Sequence, residues 1–378
     1  MEKFEIYNPV KAYFGRDVIL RLPKEISALG KKILLVYGKG SIKSNGIYQA
    51  VMAQIERAGA EVYEYSGIKP NPVIEDVRAA VSLGKLKNVD LIIAVGGGSV
   101  IDSAKVISIG IAGDADPWQY VKGKPTLQGI PIIAVLTLAA TGTEMNRFAV
   151  IQNNETKEKI GFGYPPMYPK VSFLDPAYTT SVNAAYTSYG IVDLIAHALE
   201  AYFGKGDASL SDRIVFSIIK EALEYGPALM NDLANYDLRA RIMYAATMAL
   251  NNLTMYGRIS GDWGVHSIGH VLSVLYDVPH GASLSIAYPA WMKMNKDRAG
   301  DRIMQLGENL FGVSSADETI SALEAYFTSI NSPVRLSETS YGAYDKEEII
   351  KTMASNHVSG AHYRLSEEDY RELISLMW

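Results

Sequence analysis

From Lys32 to Leu174 short β-branched runs alternate with amphipathic stretches, the pattern of a parallel sheet flanked by helices. Ile33 to Tyr37 ends at Gly38-Lys39-Gly40-Ser41, Val62 to Tyr65 at Gly67, Leu91 to Val95 at Gly96-Gly97-Gly98-Ser99, and Ile132 to Leu136 at Thr137. Each predicted strand therefore feeds a loop at its carboxyl end, the edge at which open α/β sheets bind ligands. Phe148 to Gln152 and Lys159 to Phe162, separated by Asn153-Asn154-Glu155-Thr156, read as a hairpin. Beyond Asp175-Pro176 the period becomes helical, with Ile214, Ile218 and Leu223, then Ile242, Ala246, Ala249 and Leu253, on the expected apolar faces. The final helix has an acidic start at Ser366-Glu367-Glu368-Asp369. The pattern predicts an α/β domain over residues 1–178 and an all-helical domain over 179–378, with the boundary near Tyr178.

Two features within this frame carry chemistry. Four of the six histidines lie between His197 and His280, and Asp193 stands four residues before His197. An i,i+4 pair projects from one helix face, so Asp193 and His197 can share a cation. The second half of the cluster is His266 and His270 in Gly264-Val265-His266-Ser267-Ile268-Gly269-His270, followed by His280. Three imidazoles and a carboxylate suit a borderline divalent ion such as Fe(II) or Zn(II). Spacing alone does not separate the pair His266 and His270 from the pair His266 and His280.

The second feature is Gly96-Gly97-Gly98-Ser99-Val100-Ile101-Asp102, which leaves a strand and opens a helix. Its glycines admit close backbone approach, and the free N–H groups of the helix start favour a pyrophosphate. With the loops at Gly38 and Thr137 it forms one edge suited to an extended dinucleotide. The first loop has no acid to repel a 2'-phosphate, whereas Lys39, and Lys159 on the hairpin, offer positive charge, so NADP(H) is expected.

Composition removes other classes. The net charge of −5 and the dispersed Lys and Arg argue against a nucleic-acid partner, and the absence of cysteine excludes thiolate metal sites and cysteine nucleophiles. No apolar run reaches the length of a membrane span and no signal pattern is visible at Met1-Glu2-Lys3-Phe4, so a cytoplasmic protein is expected.

These residues resemble the iron-containing (group III) alcohol dehydrogenases, within them the NADPH-dependent butanol dehydrogenase and aldehyde reductase branch. The resemblance runs from Asn8-Pro9-Val10-Lys11-Ala12-Tyr13-Phe14-Gly15 through the Gly96 loop, Ala140-Thr141-Gly142-Thr143-Glu144-Met145-Asn146 and Gly261-Asp262-Trp263-Gly264-Val265-His266 to Pro279-His280-Gly281. It implies a Rossmann-like dinucleotide-binding α/β domain followed by an all-α metal domain, a dehydroquinate synthase-like architecture with the active site between the two. The implied metal ligands are Asp193, His197, His266 and His280, for Fe(II) or Zn(II), with Mn(II) or Ni(II) also suited. The implied cofactor residues are Gly38, Gly40, Ser41, Asn71, Gly97, Gly98, Ser99, Asp102, Thr137, Thr141, Asn146, Lys159 and Tyr178. His270, an unliganded histidine near the nicotinamide by the same resemblance, is the candidate proton relay, and Asp102 a candidate for orienting the cofactor. Ser273 departs from the glycine of many members. The expected reaction is reversible hydride transfer between primary alcohols and aldehydes, assisted by a Lewis-acid metal, in a homodimer without membrane partner. Rival expectations are a polyol dehydrogenase of the glycerol type, a dehydroquinate synthase-like lyase, and a non-catalytic nucleotide-binding protein.

Overall fold

The apolar runs form a six-stranded sheet, every neighbouring pair of which is parallel. Its strands are β1 (Lys11–Phe14), β2 (Lys32–Tyr37), β3 (Glu61–Tyr65), β4 (Leu91–Gly96), β5 (Ile132–Leu136) and, after a separate antiparallel hairpin β6 (Phe148–Asn153) and β7 (Glu158–Gly163), β8 (Val171–Leu174). The spatial order is β1-β8-β5-β4-β2-β3. Helices α1 (Leu22–Leu29), α2 (Ser41–Ser44), α3 (Ile47–Arg57), α4 (Ile74–Lys87), α5 (Gly98–Ala112) and α6 (Pro117–Val121) complete this half in the computed structural model, which describes all 378 residues.

Alternate residues of the central strands enter two different cores. Leu34, Ile92, Ala94, Ile132 and Ala134 pack with Ile74 and Val77 of α4 and Ile101 and Ala104 of α5. Ile33, Leu35, Ile93, Val95 and Ile133 pack with Leu22 and Ile26 of α1 and Val51 and Ile55 of α3. Burial on both faces explains why these strands read as unbroken apolar runs rather than as alternating ones. The connection from β2 leads to β3 on one side and that from β4 leads to β5 on the other, which makes their carboxyl ends the topological switch point.

The remaining helices are α7 (Ala184–Tyr202), α8 (Ser209–Asn231), α9 (Tyr236–Ala249), α10 (Gly264–Tyr276), α11 (His280–Met294), α12 (Lys296–Leu310), α13 (Ala316–Ser329), α14 (Lys346–Ser355) and α15 (Glu367–Met377). The chain falls into two units: Tyr7–Val182 with Ala234–Met243, and Met1–Ile6 with Asn183–Leu233 and Tyr244–Trp378. Helix α7 is buried along almost its whole length, as an all-round apolar helix must be. On α8, Ile218 of the expected stripe is buried, whereas Ile214 and Leu223 are only partly buried and their neighbours Val215 and Ala222 are fully buried. Leu253 lies beyond the end of α9. The acidic start of α15 is capped by Ser366, whose hydroxyl accepts from the Asp369 N–H. No helix is long and apolar enough to cross a membrane.

Candidate metal centre and cofactor edge

Helix α7 begins at Asn183, whose side chain accepts from the Tyr186 N–H, and carries Asp193 and His197 on one face. His266 stands at the third position of α10 and His280 at the first of α11. All converge on one carboxylate oxygen. Asp193 Oδ1 lies 3.4 Å from His197 Nδ1, 3.8 Å from His266 Nε2 and 3.6 Å from His280 Nε2. Asp193, His266 and His280 each place a donor atom within 4.8 Å of the others. Ligands at about 2.1 Å from a tetrahedral ion are roughly 3.4 Å apart, so the spacing matches a shared cation.

The polar bookkeeping agrees. Asp193 Oδ1, His197 Nδ1 and His266 Nε2 are buried with no hydrogen-bond partner, although buried polar atoms are nearly always paired. Burial, only partly offset by Asp193, pushes His197 down to about 4, so that its ring is neutral and fit to donate a lone pair. Burial acts against a charge on His266, but the hydrogen bond to Glu200 and the nearby carboxylate of Asp193 outweigh it and raise this ring to about 9. His270 follows His266 by one turn, with its ring centroid 5.7 Å from that of His280.

Two acids that the sequence pattern did not single out surround this cluster. Glu200 accepts from His266 Nδ1 at 2.8 Å, from the His266 N–H at 3.0 Å and from the Trp263 N–H. Its signal was available: a glutamate one turn after His197 on a buried apolar helix needs a partner. Asp262 accepts from the N–H groups of Gly264, His362 and Tyr363, clasping the segment before α10, and burial followed by the charge of Glu200 raises it to about 6. The Trp263 ring stands edge-on to His266 at 5.5 Å and to His197 at 6.3 Å. Ser273 is used locally, its hydroxyl donating to the Val278 carbonyl at 3.0 Å.

In the α/β unit the candidate cofactor residues gather on the carboxyl edge of the sheet. Gly38, Gly40 and Ser41 follow β2, Asn71 lies between β3 and α4, Gly97, Gly98 and Ser99 follow β4, Thr137 and Thr141 follow β5, and Tyr178 follows β8. The hairpin joins them through Lys159, whose Nζ donates to Asn71 Oδ1 at 2.8 Å. Gly98 must lack a side chain, because a Cβ there would lie 2.6 Å from Thr141 Cγ2. Ser99 donates to the Pro70 carbonyl, and burial leads the factors that push the Tyr178 phenol up to about 12.

Asp102 and Asn146 face inward. Asp102 accepts from Thr143 Oγ1 at 2.6 Å and from the Val150 N–H at 2.9 Å, tying α5 to the hairpin. Asn146 is fully buried, accepting from Lys105 Nζ at 3.1 Å and the Phe148 N–H at 2.8 Å, and donating to the Gly142 carbonyl at 3.0 Å. Lys105, also fully buried, donates further to Thr143 Oγ1 and the Phe148 carbonyl, both at 2.5 Å. Burial, against the opposing charges of Asp102 and Glu144, lowers Lys105 to about 8.

A parallel-sheet unit with glycine loops at its switch point and a helical unit with an Asp-His cluster define a nucleotide- and metal-using enzyme class. The profile described as iron-containing alcohol dehydrogenase matches residues 9–176, and that of the C-terminal part of the Fe-containing alcohol dehydrogenase family matches 187–375. The chain belongs to the iron-containing alcohol dehydrogenase family, an oxidoreductase family whose members use a nucleotide cofactor and a divalent metal. It is 40% identical to the probable NADH-dependent butanol dehydrogenase 1 of Bacillus subtilis, over 99% of both chains. It is 34% identical to the NADPH-dependent aldehyde reductase of Escherichia coli, over 89% of each. The crystal structure of NADH-dependent butanol dehydrogenase A from Thermotoga maritima superposes with a TM-score of 0.96 at 36% identity, covering 100% of this chain and 99% of that one.

Proposed function

We propose that this protein interconverts primary alcohols and aldehydes by hydride transfer, with NADP(H) as cofactor and one divalent ion, Fe(II) or Zn(II), held by Asp193, His197, His266 and His280. The observation that carries the metal assignment is the convergence of three imidazoles on Asp193 Oδ1 at 3.4–3.8 Å. When bound, the ion supplies Lewis acidity toward the substrate oxygen and the nicotinamide supplies or accepts the hydride. The chain's own residues bind, orient and relay. N–H groups at the start of α5, beside Gly97 and Gly98, suit the pyrophosphate. Asp102 acts by holding the hairpin and thereby Lys159, and His270, one turn beyond His266, relays the proton.

The absence of an acid from Gly38-Lys39-Gly40-Ser41 favours NADP(H). The acid nearby on β3, Glu64, accepts from Tyr37 Oη at 2.5 Å and Tyr48 Oη at 2.8 Å. The names of the Bacillus subtilis and Thermotoga maritima relatives favour NADH instead, and that is the second reading. Initial rates of NADPH and NADH oxidation decide it, measured with butanal and short aldehydes on protein reconstituted separately with Fe(II) and Zn(II). Metal-dependent turnover with higher kcat/KM for NADPH supports the full proposal. Preference for NADH overturns the cofactor assignment alone, and nucleotide binding without aldehyde turnover overturns the activity.

A further inference from the structure

Glu200 is 1% exposed and lies one turn beyond His197 on α7. All the hydrogen bonds recorded for its side chain come from the start of α10. Oε1 accepts from His266 Nδ1 at 2.8 Å and from the His266 N–H at 3.0 Å, and Oε2 accepts from the Trp263 N–H. The carboxylate therefore caps α10 from a neighbouring helix. It also holds Trp263 in a left-handed backbone conformation, φ 64°, that a bulky residue rarely adopts. The same group acts on the imidazole. An ionised carboxylate only accepts, so Nδ1 carries the proton and Nε2 presents its lone pair to the Asp193 cluster.

Resting on the assignment of that cluster as a divalent-metal site, we propose that Glu200 is its positioning residue, fixing the tautomer and angle of His266 and supplying the second negative charge that balances a divalent cation. Asp193 contributes one buried negative charge and Glu200 the other, each at 1% exposure. With neutral imidazoles a dication brings these groups to zero, whereas glutamine at 200 leaves one uncompensated positive charge in a buried site. Asp262 does not position the ring, because its side-chain hydrogen bonds go to main-chain N–H groups of Gly264, His362 and Tyr363. A carboxylate behind a ligand imidazole raises its basicity, and losing such a partner costs about 10–100-fold in metal affinity.

The test compares the wild-type chain with Glu200→Gln, its folding checked by far-UV circular dichroism. Two quantities are read: Co(II) affinity by competition with a chromophoric chelator, and the visible d–d absorption of the Co(II)-loaded protein. The expected result is one Co(II) per wild-type chain, with affinity about 10–100-fold weaker in the variant and displaced d–d bands. Unchanged affinity and bands overturn the proposal. So does weaker binding with unmoved bands, since capping alone would leave the donor strength of His266 untouched. If Glu200→Gln does not fold, Glu200→Asp is read in the same two ways: it keeps the charge but withdraws it from Nδ1, so unaltered affinity and bands again overturn the role. A wild-type chain that takes up no Co(II) fails at an earlier step and removes the metal site itself.

Discussion

Replacing Gly281 by alanine tests how far the ligand geometry depends on helix packing. Gly281 is the second residue of α11, directly after His280, in a helical conformation open to any L residue. The substitution adds one carbon and no backbone strain. That carbon would lie 2.6 Å from Tyr189 C and Cα and nearer still to Tyr189 O, main-chain atoms of α7 one turn before Asp193. Carbon atoms pack at about 3.5–4.0 Å, so the start of α11 and this turn of α7 must separate by about 1 Å. Overpacking of this kind costs about 1–3 kcal/mol of stability. Because His280 and Asp193 sit on the two segments forced apart, a displacement near 1 Å is expected to lower metal-dependent turnover about 100-fold. Gly300 on α12 is the control, with no atom within 4 Å of a built Cβ, and Gly300→Ala should stabilise by about 0.5–1 kcal/mol. Thermal unfolding and steady-state rates at saturating metal are the assays. Wild-type stability and turnover in Gly281→Ala would refute the link between helix approach and the metal centre.

Other outcomes follow from the same contacts. His280→Ala removes one donor and should leave a folded chain that loses its ion to a chelator well before wild type, read by metal analysis after dialysis. Lys105→Met strips the 2.5 Å bonds to Thr143 and the Phe148 carbonyl and leaves Asp102 and Glu144 without their buried cation, at a cost of about 3–5 kcal/mol by denaturant unfolding and with a raised KM for the cofactor. Asp212, 8% exposed, accepts from Arg258 at 2.6 Å and Arg302 at 2.8 Å; burial opposes its charge, but these partners hold the carboxyl below its ordinary value. Its contribution is therefore present above the unfolded value of about 3.9 and is lost as pH falls through the lower folded value. Asp212→Asn should cost about 2–4 kcal/mol near neutral pH, a gap that closes in acid. Lys39→Ala should raise KM for NADPH roughly threefold while leaving KM for NADH nearly unchanged.

The central strands were legible because burial on both faces makes β4, β5 and all of β2 after Lys32 continuous apolar runs. Strand β1 was not: its residues Lys11, Ala12, Tyr13 and Phe14 are mostly exposed at a sheet edge, so no burial pattern marks them. The four-residue β8 is apolar but too short to announce itself. On α8, Ile218 is buried as expected, but Ile214 yields to the adjacent Val215, because both are apolar and only packing selects between them. The metal cluster was visible as types and spacings, but an i,i+4 relation favours His266 with His270 as readily as His266 with His280. Tertiary geometry separates them, bringing His280 Nε2 to 3.6 Å of Asp193 Oδ1. An acid at Glu200 on an apolar helix signals a buried partner without identifying it; that partner, His266, is 66 residues away, and Lys105 and Asp262 likewise depend on Thr143, 38 residues away, and Tyr363, 101 residues away.

The most direct test of the account is the metal content of the chain after anaerobic reconstitution with Fe(II) and exhaustive dialysis, wild type beside Asp193→Asn. One equivalent in wild type, with aldehyde reduction proportional to it, and less than a tenth of that metal in the variant is the predicted result, since Asp193 Oδ1 is the point on which the three imidazoles converge. Full retention of iron by Asp193→Asn, or wild-type turnover independent of bound metal, would contradict it.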